Sequence, residues 1–132
     1  MAAIGDDYIL GWSGADILIG GSGNDFLFGK AGNDTMTGGS GADQFQVLAF
    51  NGVDVITDFN PAEDHLYIGW QTDVSEIAHA SNWHATTWTD ASGVVHSAIQ
   101  ADFVGGGIIL VDLTMVDVTA IAAATTPFDW FA

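Results

Sequence analysis

The sequence predicts an all-β chain: a parallel β-roll of nonapeptide repeats, then an antiparallel β cap with one or two short helices. Three observations predict it. A nine-residue unit recurs five times across residues 2–46, as Ala2–Leu10, Gly11–Ile19, Gly20–Phe28, Gly29–Thr37 and Gly38–Gln46. Glycine fills position four of every unit (Gly5, Gly14, Gly23, Gly32, Gly41), and aspartate fills position six (Asp7, Asp16, Asp25, Asp34, Asp43). Position eight is always apolar: Ile9, Leu18, Leu27, Met36 and Phe45. A fixed short period means stacked supersecondary units.

The first six residues of each unit are turn material. Glycine there permits positive φ, and Asn24 or Asn33 at position five tolerates similar geometry. The last three residues alternate about one apolar centre and read as a very short strand with its middle side chain inward. Two units then make one coil, with successive strands in two facing sheets. Ile9, Leu27 and Phe45 line the inner face of one sheet, and Leu18 and Met36 that of the other.

Beyond the repeats the pattern becomes irregular. Val47–Phe50, Asp54–Phe59 and Asp64–Gly69 read as strands, and Thr72 or Asp73 starts a short helix running through Ala80. Trp83–Trp88, Val94–Phe103 and Gly107–Leu113 read as further strands, turned at Ser92–Gly93 and Gly105–Gly107. A last short helix begins at Thr114 or Asp117 and ends near Thr125. This half is expected to cap the open end of the roll, because a final coil exposes apolar surface and strand edges. The chain reads as a single domain, 1–132, with the roll at 2–46 and the capping region at 47–132.

Charge points to a ligand. The chain carries 17 acidic residues against one basic residue, Lys30, for a formal net charge of −16. Turns of a roll stack at about 4.8 Å, and carboxylates that close repel one another unless cations intervene. Aspartate carboxylates and backbone carbonyls are hard oxygen donors, which suit Ca²⁺ with its six to eight adaptable contacts. Mg²⁺ demands stricter geometry and releases water reluctantly. The chain has no cysteine, and His65, His79, His84 and His96 are scattered, so a soft or imidazole-bound metal does not fit. The expected cofactor is Ca²⁺, several ions and about 3–5 of them.

The same charge excludes nucleic acid as a partner and disfavours anionic membranes. No apolar run reaches the ~20 residues needed to span a bilayer, so no membrane insertion is expected. No signal-peptide pattern opens the chain. The sequence has no HExxH, no GxSxG, no phosphate loop and no cysteine nucleophile, and no enzymatic activity is expected.

The units resemble the GGxGxD repeats of the RTX (hemolysin-type) calcium-binding family. Asp54-Val-Ile-Thr-Asp58-Phe59 and Asp64-His-Leu-Tyr-Ile68 are similar to the segment that follows the roll in serralysin-type C-terminal domains. The resemblance implies ions held between same-edge turns one coil apart, pairing Asp7 with Asp25, Asp25 with Asp43, and Asp16 with Asp34. It implies carbonyl ligands from positions one and three, here Gly11, Ser13, Gly20, Ser22, Gly29, Ala31, Gly38 and Ser40, with Asn24 and Asn33 as neighbouring candidates. Asp54 and Asp58 would close the last site beside Asp34 or Asp43. The resemblance also implies secretion by a type I system that reads an uncleaved C-terminal signal, for which the tail Phe128–Ala132 has the acidic-then-apolar form. This sequence departs from the family at Ala2-Ala3-Ile4, and at Trp12 and Lys30, which stand where the second glycine is usual.

The function expected is a calcium-binding module that folds on meeting Ca²⁺ after secretion from a bacterial cell. The alternatives are an adhesin or polysaccharide-binding module, or the C-terminal domain of a secreted protease or lipase. Outward positions seven and nine are apolar in the first three units (Tyr8, Leu10, Ile17, Ile19, Phe26, Phe28). Such a face predicts a cover: an upstream domain, a homodimer, or the chain's own C-terminal half.

Overall fold

The computed structural model describes residues 4–47, 52–60, 62–68, 83–103, 106–112 and 125–126. Among the described residues, eleven strands form two sheets. In the repeats these are β1 (Tyr8–Leu10), β2 (Ile17–Ser22), β3 (Phe26–Phe28), β4 (Thr35–Ser40) and β5 (Gln44–Val47). Then come β6 (Gly52–Ile56), β7 (His65–Ile68), β8 (Trp83–Thr89), β9 (Val95–Phe103), β10 (Gly106–Val111) and β11 (Thr125–Thr126). One sheet runs β1-β3-β5-β7-β11 and the other β2-β4-β6-β10-β9-β8. Odd and even strands of the repeats thus separate into opposite walls, as a period of two units per coil requires.

Pairing through the repeats is parallel and in register: Ile9 lies beside Leu27, Leu27 beside Phe45 and Leu18 beside Met36. Strands β2 and β4 run six residues, longer than the repeat suggests, because Gly21–Gly39 and Ser22–Ser40 also pair. The predicted inward residues Leu18, Leu27, Met36 and Phe45 are buried, and Ile9 packs against them. Ile56, Phe59, Leu66, Ile99, Ile108 and Leu110 extend the same core into the second half. Among the described residues there is a single core.

The second half is not a purely antiparallel cap. Strand β10 joins β6 in parallel, with Leu110 beside Ile56, and only then turns back antiparallel through β9 to β8. Strand β11 joins β7 in parallel. The roll's two walls therefore continue past the last repeat. No helix occurs among the described residues, and the segments expected to be helical, from Thr72 to Ala80 and from Thr114 to Thr125, lie almost wholly outside them.

The outward apolar face is only partly open. Tyr8 and Ile17 are 70% and 73% exposed, but Phe28 is buried. The Lys30 ammonium lies 4.0 Å from the Trp12 ring centroid and 5.4 Å from that of Phe28. The one basic side chain of the protein is held against aromatic faces, as expected of a cation over the negative face of a π-system.

Candidate metal centre

The position-six aspartates form two columns, one on each edge of the roll. In the first, the Asp7 backbone N–H donates to Asp25 Oδ1 at 2.9 Å, that of Asp25 to Asp43 Oδ1 at 2.9 Å, and that of Asp43 to Asp64 Oδ1 at 2.9 Å. In the second, the Asp16 N–H donates to Asp34 Oδ1 at 2.9 Å and that of Asp34 to Asp54 Oδ1 at 3.1 Å. The three expected pairs stand one coil apart, as drawn from the repeat. Asp54 extends the second column. Asp64, which was not among the candidate residues, extends the first.

Oδ1 of Asp25, Asp34 and Asp43 is thus committed to the backbone. The other oxygen has nothing. Oδ2 of Asp7, Asp16, Asp25, Asp34 and Asp43 is buried without a hydrogen-bond partner in all five. Buried carboxylate oxygens left unpaired are costly, and one side chain repeating the omission in every unit marks a place for a cation.

Backbone geometry brings further oxygens to the same place. A Cβ on Gly11 would stand 2.7 Å from the Gly29 carbonyl oxygen and 2.9 Å from Asp16 Oδ2. One on Gly20 would meet Asp25 Oδ2 and, at 2.6 Å, the Gly38 carbonyl. Gly29 and Gly38 face Asp34 Oδ2 and Asp43 Oδ2 in the same way. Gly11 and Gly20 therefore stand between their own aspartate and the next coil's carbonyl, and Gly29 and Gly38 against their own aspartate, where any side chain would intrude. Among the described residues no three carboxylate or imidazole side chains converge on one point. The donor set is accordingly carboxylate plus backbone carbonyl, hard oxygens that fit calcium.

Several other candidates have backbone roles. Asn24 Oδ1 accepts the Ala42 N–H at 2.9 Å, and Asn33 Oδ1 accepts that of Val53 at 2.9 Å. Asp6, which accepts the Asn24 N–H at 2.8 Å, and Asn24 form a ladder on one edge, and Asn33 makes the same bond on the other, both running opposite to the aspartate columns. The carbonyls of Ser22, Ala31 and Ser40 accept N–H groups from Gly5, Gly14 and Gly23. Ser13 pairs with Ala31 across coils. Asp58 stands outside the columns, accepting the N–H groups of Gly38 and Gly39 at 2.9 and 2.8 Å. Asp64 Oδ2 accepts the Asn60 N–H at 2.8 Å, so its column ends in a satisfied carboxylate.

Burial and crowding raise the proton affinity of Asp34, Asp43, Asp54 and Asp64. Desolvation, and then the neighbouring Asp64, Asp25 and Asp58 charges, push Asp43 up to about 6. Desolvation, with Asp34 adding to it, pushes Asp54 up to about 7. Asp34 and Asp64 are also raised, chiefly by burial, against the lowering effect of the backbone N–H groups they accept.

The family described as RTX calcium-binding nonapeptide repeat matches residues 2–27 and 19–53. Residues 2–53 carry RTX repeats. RTX nonapeptide repeats bind Ca²⁺, and β-rolls built from them are structural calcium-binding domains. Among solved structures, the chain is similar to the AlgE6R3 subunit from the Azotobacter vinelandii mannuronan C5-epimerase. Identity is 25% and the TM-score 0.55, over 94% of this chain and 78% of that one. It also matches the extracellular lipase LipA from Serratia marcescens, at 19% identity and a TM-score of 0.48. That match spans 92% of this chain and 19% of the lipase. No curated protein sequence matches the chain.

Proposed function

We propose that this chain is a calcium-dependent folding module of a protein that works outside a bacterial cell. The observation that carries the reading is the set of five buried, unpartnered carboxylate oxygens, four of them beside a position-one glycine. Calcium would supply the positive charge that a chain with one basic residue lacks. Asp16 and Asp34, with Gly11 and Gly29, would hold it on one edge; Asp7, Asp25 and Asp43, with Gly20 and Gly38, would hold it on the other. About 3–5 ions are proposed, one for each interval between same-edge turns.

Low cytosolic calcium leaves the columns self-repelling and the chain open, a form suited to export through a narrow channel. Millimolar calcium outside favours the folded form. A site with Kd near 10⁻⁴ M adds ~1.4 kcal/mol at 1 mM by linkage, so several sites together decide the equilibrium. Export by a type I system through an uncleaved C-terminal signal belongs to the same proposal, and the module itself is given no catalytic role. The test is far-ultraviolet circular dichroism during a calcium titration, with magnesium as control. Cooperative gain of β signal with calcium alone is expected; full structure after exhaustive chelation would sink the reading.

A second reading is a polysaccharide-binding module. It is favoured by the likeness to a subunit of a mannuronan epimerase and by the exposed Trp12 and Tyr8 rings. Glycan binding that requires calcium and is lost in Trp12→Ala would support it.

A further inference from the structure

We propose that the outer edge of β8 pairs with β8 of a second copy, joining two six-stranded sheets across a two-fold axis through Thr86. Strand β8 ends its sheet and pairs only with β9 among the described strands. It runs seven residues, Trp83–Thr89, without a charged residue, a proline or a break in register. Natural sheets blunt edges of this length with lysine, proline or bulges, because an open row of N–H and C=O groups invites pairing. Here none of these devices is present. His84, Ala85, Thr87 and Thr89 are exposed, so both faces of the strand are open to solvent.

The phase of the hydrogen-bond ladder says which groups the edge offers. The Asp90 N–H donates to the Val94 carbonyl at 2.9 Å, which makes 90 and 94 a bonded pair at the hairpin end. Alternation along an antiparallel ladder then bonds Trp88 to His96 and Thr86 to Ala98, and leaves Thr87 and Ala85 pointing away from β9. An independent bond agrees: the Ser97 carbonyl, opposite Thr87, is turned to the other side, where it accepts the Asp112 N–H at 2.7 Å. The outward groups are therefore those of Trp83, Ala85, Thr87 and Thr89.

An antiparallel copy centred on Thr86 satisfies all of them. It sets Ala85 against Thr87 of the second strand and Trp83 against Thr89, giving roughly eight new bonds from one closed two-fold contact. On the alternate pairs His84 meets Trp88, and Thr86 meets its own copy. Charge selects this edge as well. Two chains of net charge −16 repel, and β8 is a seven-residue stretch of edge where no carboxylate faces a carboxylate. Pairing of single strands buries little area, so the dimer is weak and strengthens with salt.

The full chain in millimolar calcium is to be examined by sedimentation equilibrium, after circular dichroism shows it folded. The expected mass rises with concentration from 13.8 kDa towards twice that value, and rises sooner at higher salt. Thr87→Pro removes an outward N–H without touching the β9 ladder and should raise the dissociation midpoint at least about tenfold. To separate lost pairing from misfolding of that variant, Thr86→Cys gives a second readout in a chain that otherwise lacks cysteine. It should oxidise to a covalent dimer much faster than Val94→Cys, which lies exposed at the hairpin turn. A monomer at millimolar concentration overturns the proposal. So does a dimer in which the two cysteine variants cross-link equally, or one that Ile17→Lys dissolves.

Discussion

The aspartate side chain has two separable duties in this roll, one for each oxygen. Oδ1 of Asp25 accepts the Asp7 N–H and ties coils together, while Oδ2 has no partner within the protein. Asp25→Asn keeps an acceptor for the first duty and removes the charge needed for the second. We expect the variant to need several-fold more calcium to fold, as read by circular dichroism, with its metal-free state no less structured than the parent. The position-four glycines separate two further effects. Gly32 has φ +130°, and a Cβ there would strike the Gly14 carbonyl; Gly14 has φ +106°, with open space around it. Gly14→Ala should cost about 1–2 kcal/mol through backbone strain alone. Gly32→Ala should cost clearly more, seen as the lower thermal midpoint in calcium.

Individual coils are unequal although their units are alike. Asp43 is fully buried, between the coil before it and the Asp64 turn after it, whereas Asp7 stands in the first coil with a neighbour on one side only. Asp43→Ala should therefore raise the calcium midpoint more than Asp7→Ala; equal midpoints in parallel titrations would contradict a roll that grows from its inner coils. The repeat made these elements legible, because period and burial share one cause: Ile9, Leu18, Leu27, Met36 and Phe45 recur at the spacing that returns them to the core. Asp64 was not legible for the same reason inverted. Column neighbours are 18 residues apart within the repeats but 21 apart from Asp43 to Asp64, the longer turn taking in the Asn60–Glu63 bond. Asn24 and Asn33 looked like turn formers or ligands, and nothing in residue type alone reveals the cross-coil bonds they make. Likewise Phe28 lies on an outward position, yet it is buried, since outward on a strand is not the same as facing water.

For the molecule as a whole, protons and calcium are competitors for the same oxygens. Asp43 and Asp54 have folded-state values of about 6 and about 7, above the ordinary value of 3.8 that governs the unfolded chain. Between those values the folded form binds more protons, so the metal-free fold is stabilised by acid and loses that support as pH rises through about 6 to 7. Chelated protein should therefore show more β signal at pH 4.5 than at pH 7.5. Calcium affinity should run the other way, strengthening as these carboxylates deprotonate, and calorimetry in two buffers should detect proton release on binding at pH 6. The parallel stacking has a mechanical corollary. Every bond in the aspartate columns of the repeats joins residues 18 apart, so tension on the leading end loads one layer at a time. Each layer that yields frees roughly 60 Å of slack before the next is strained, which makes the roll a stepwise shock absorber that re-forms wherever its ion is plentiful.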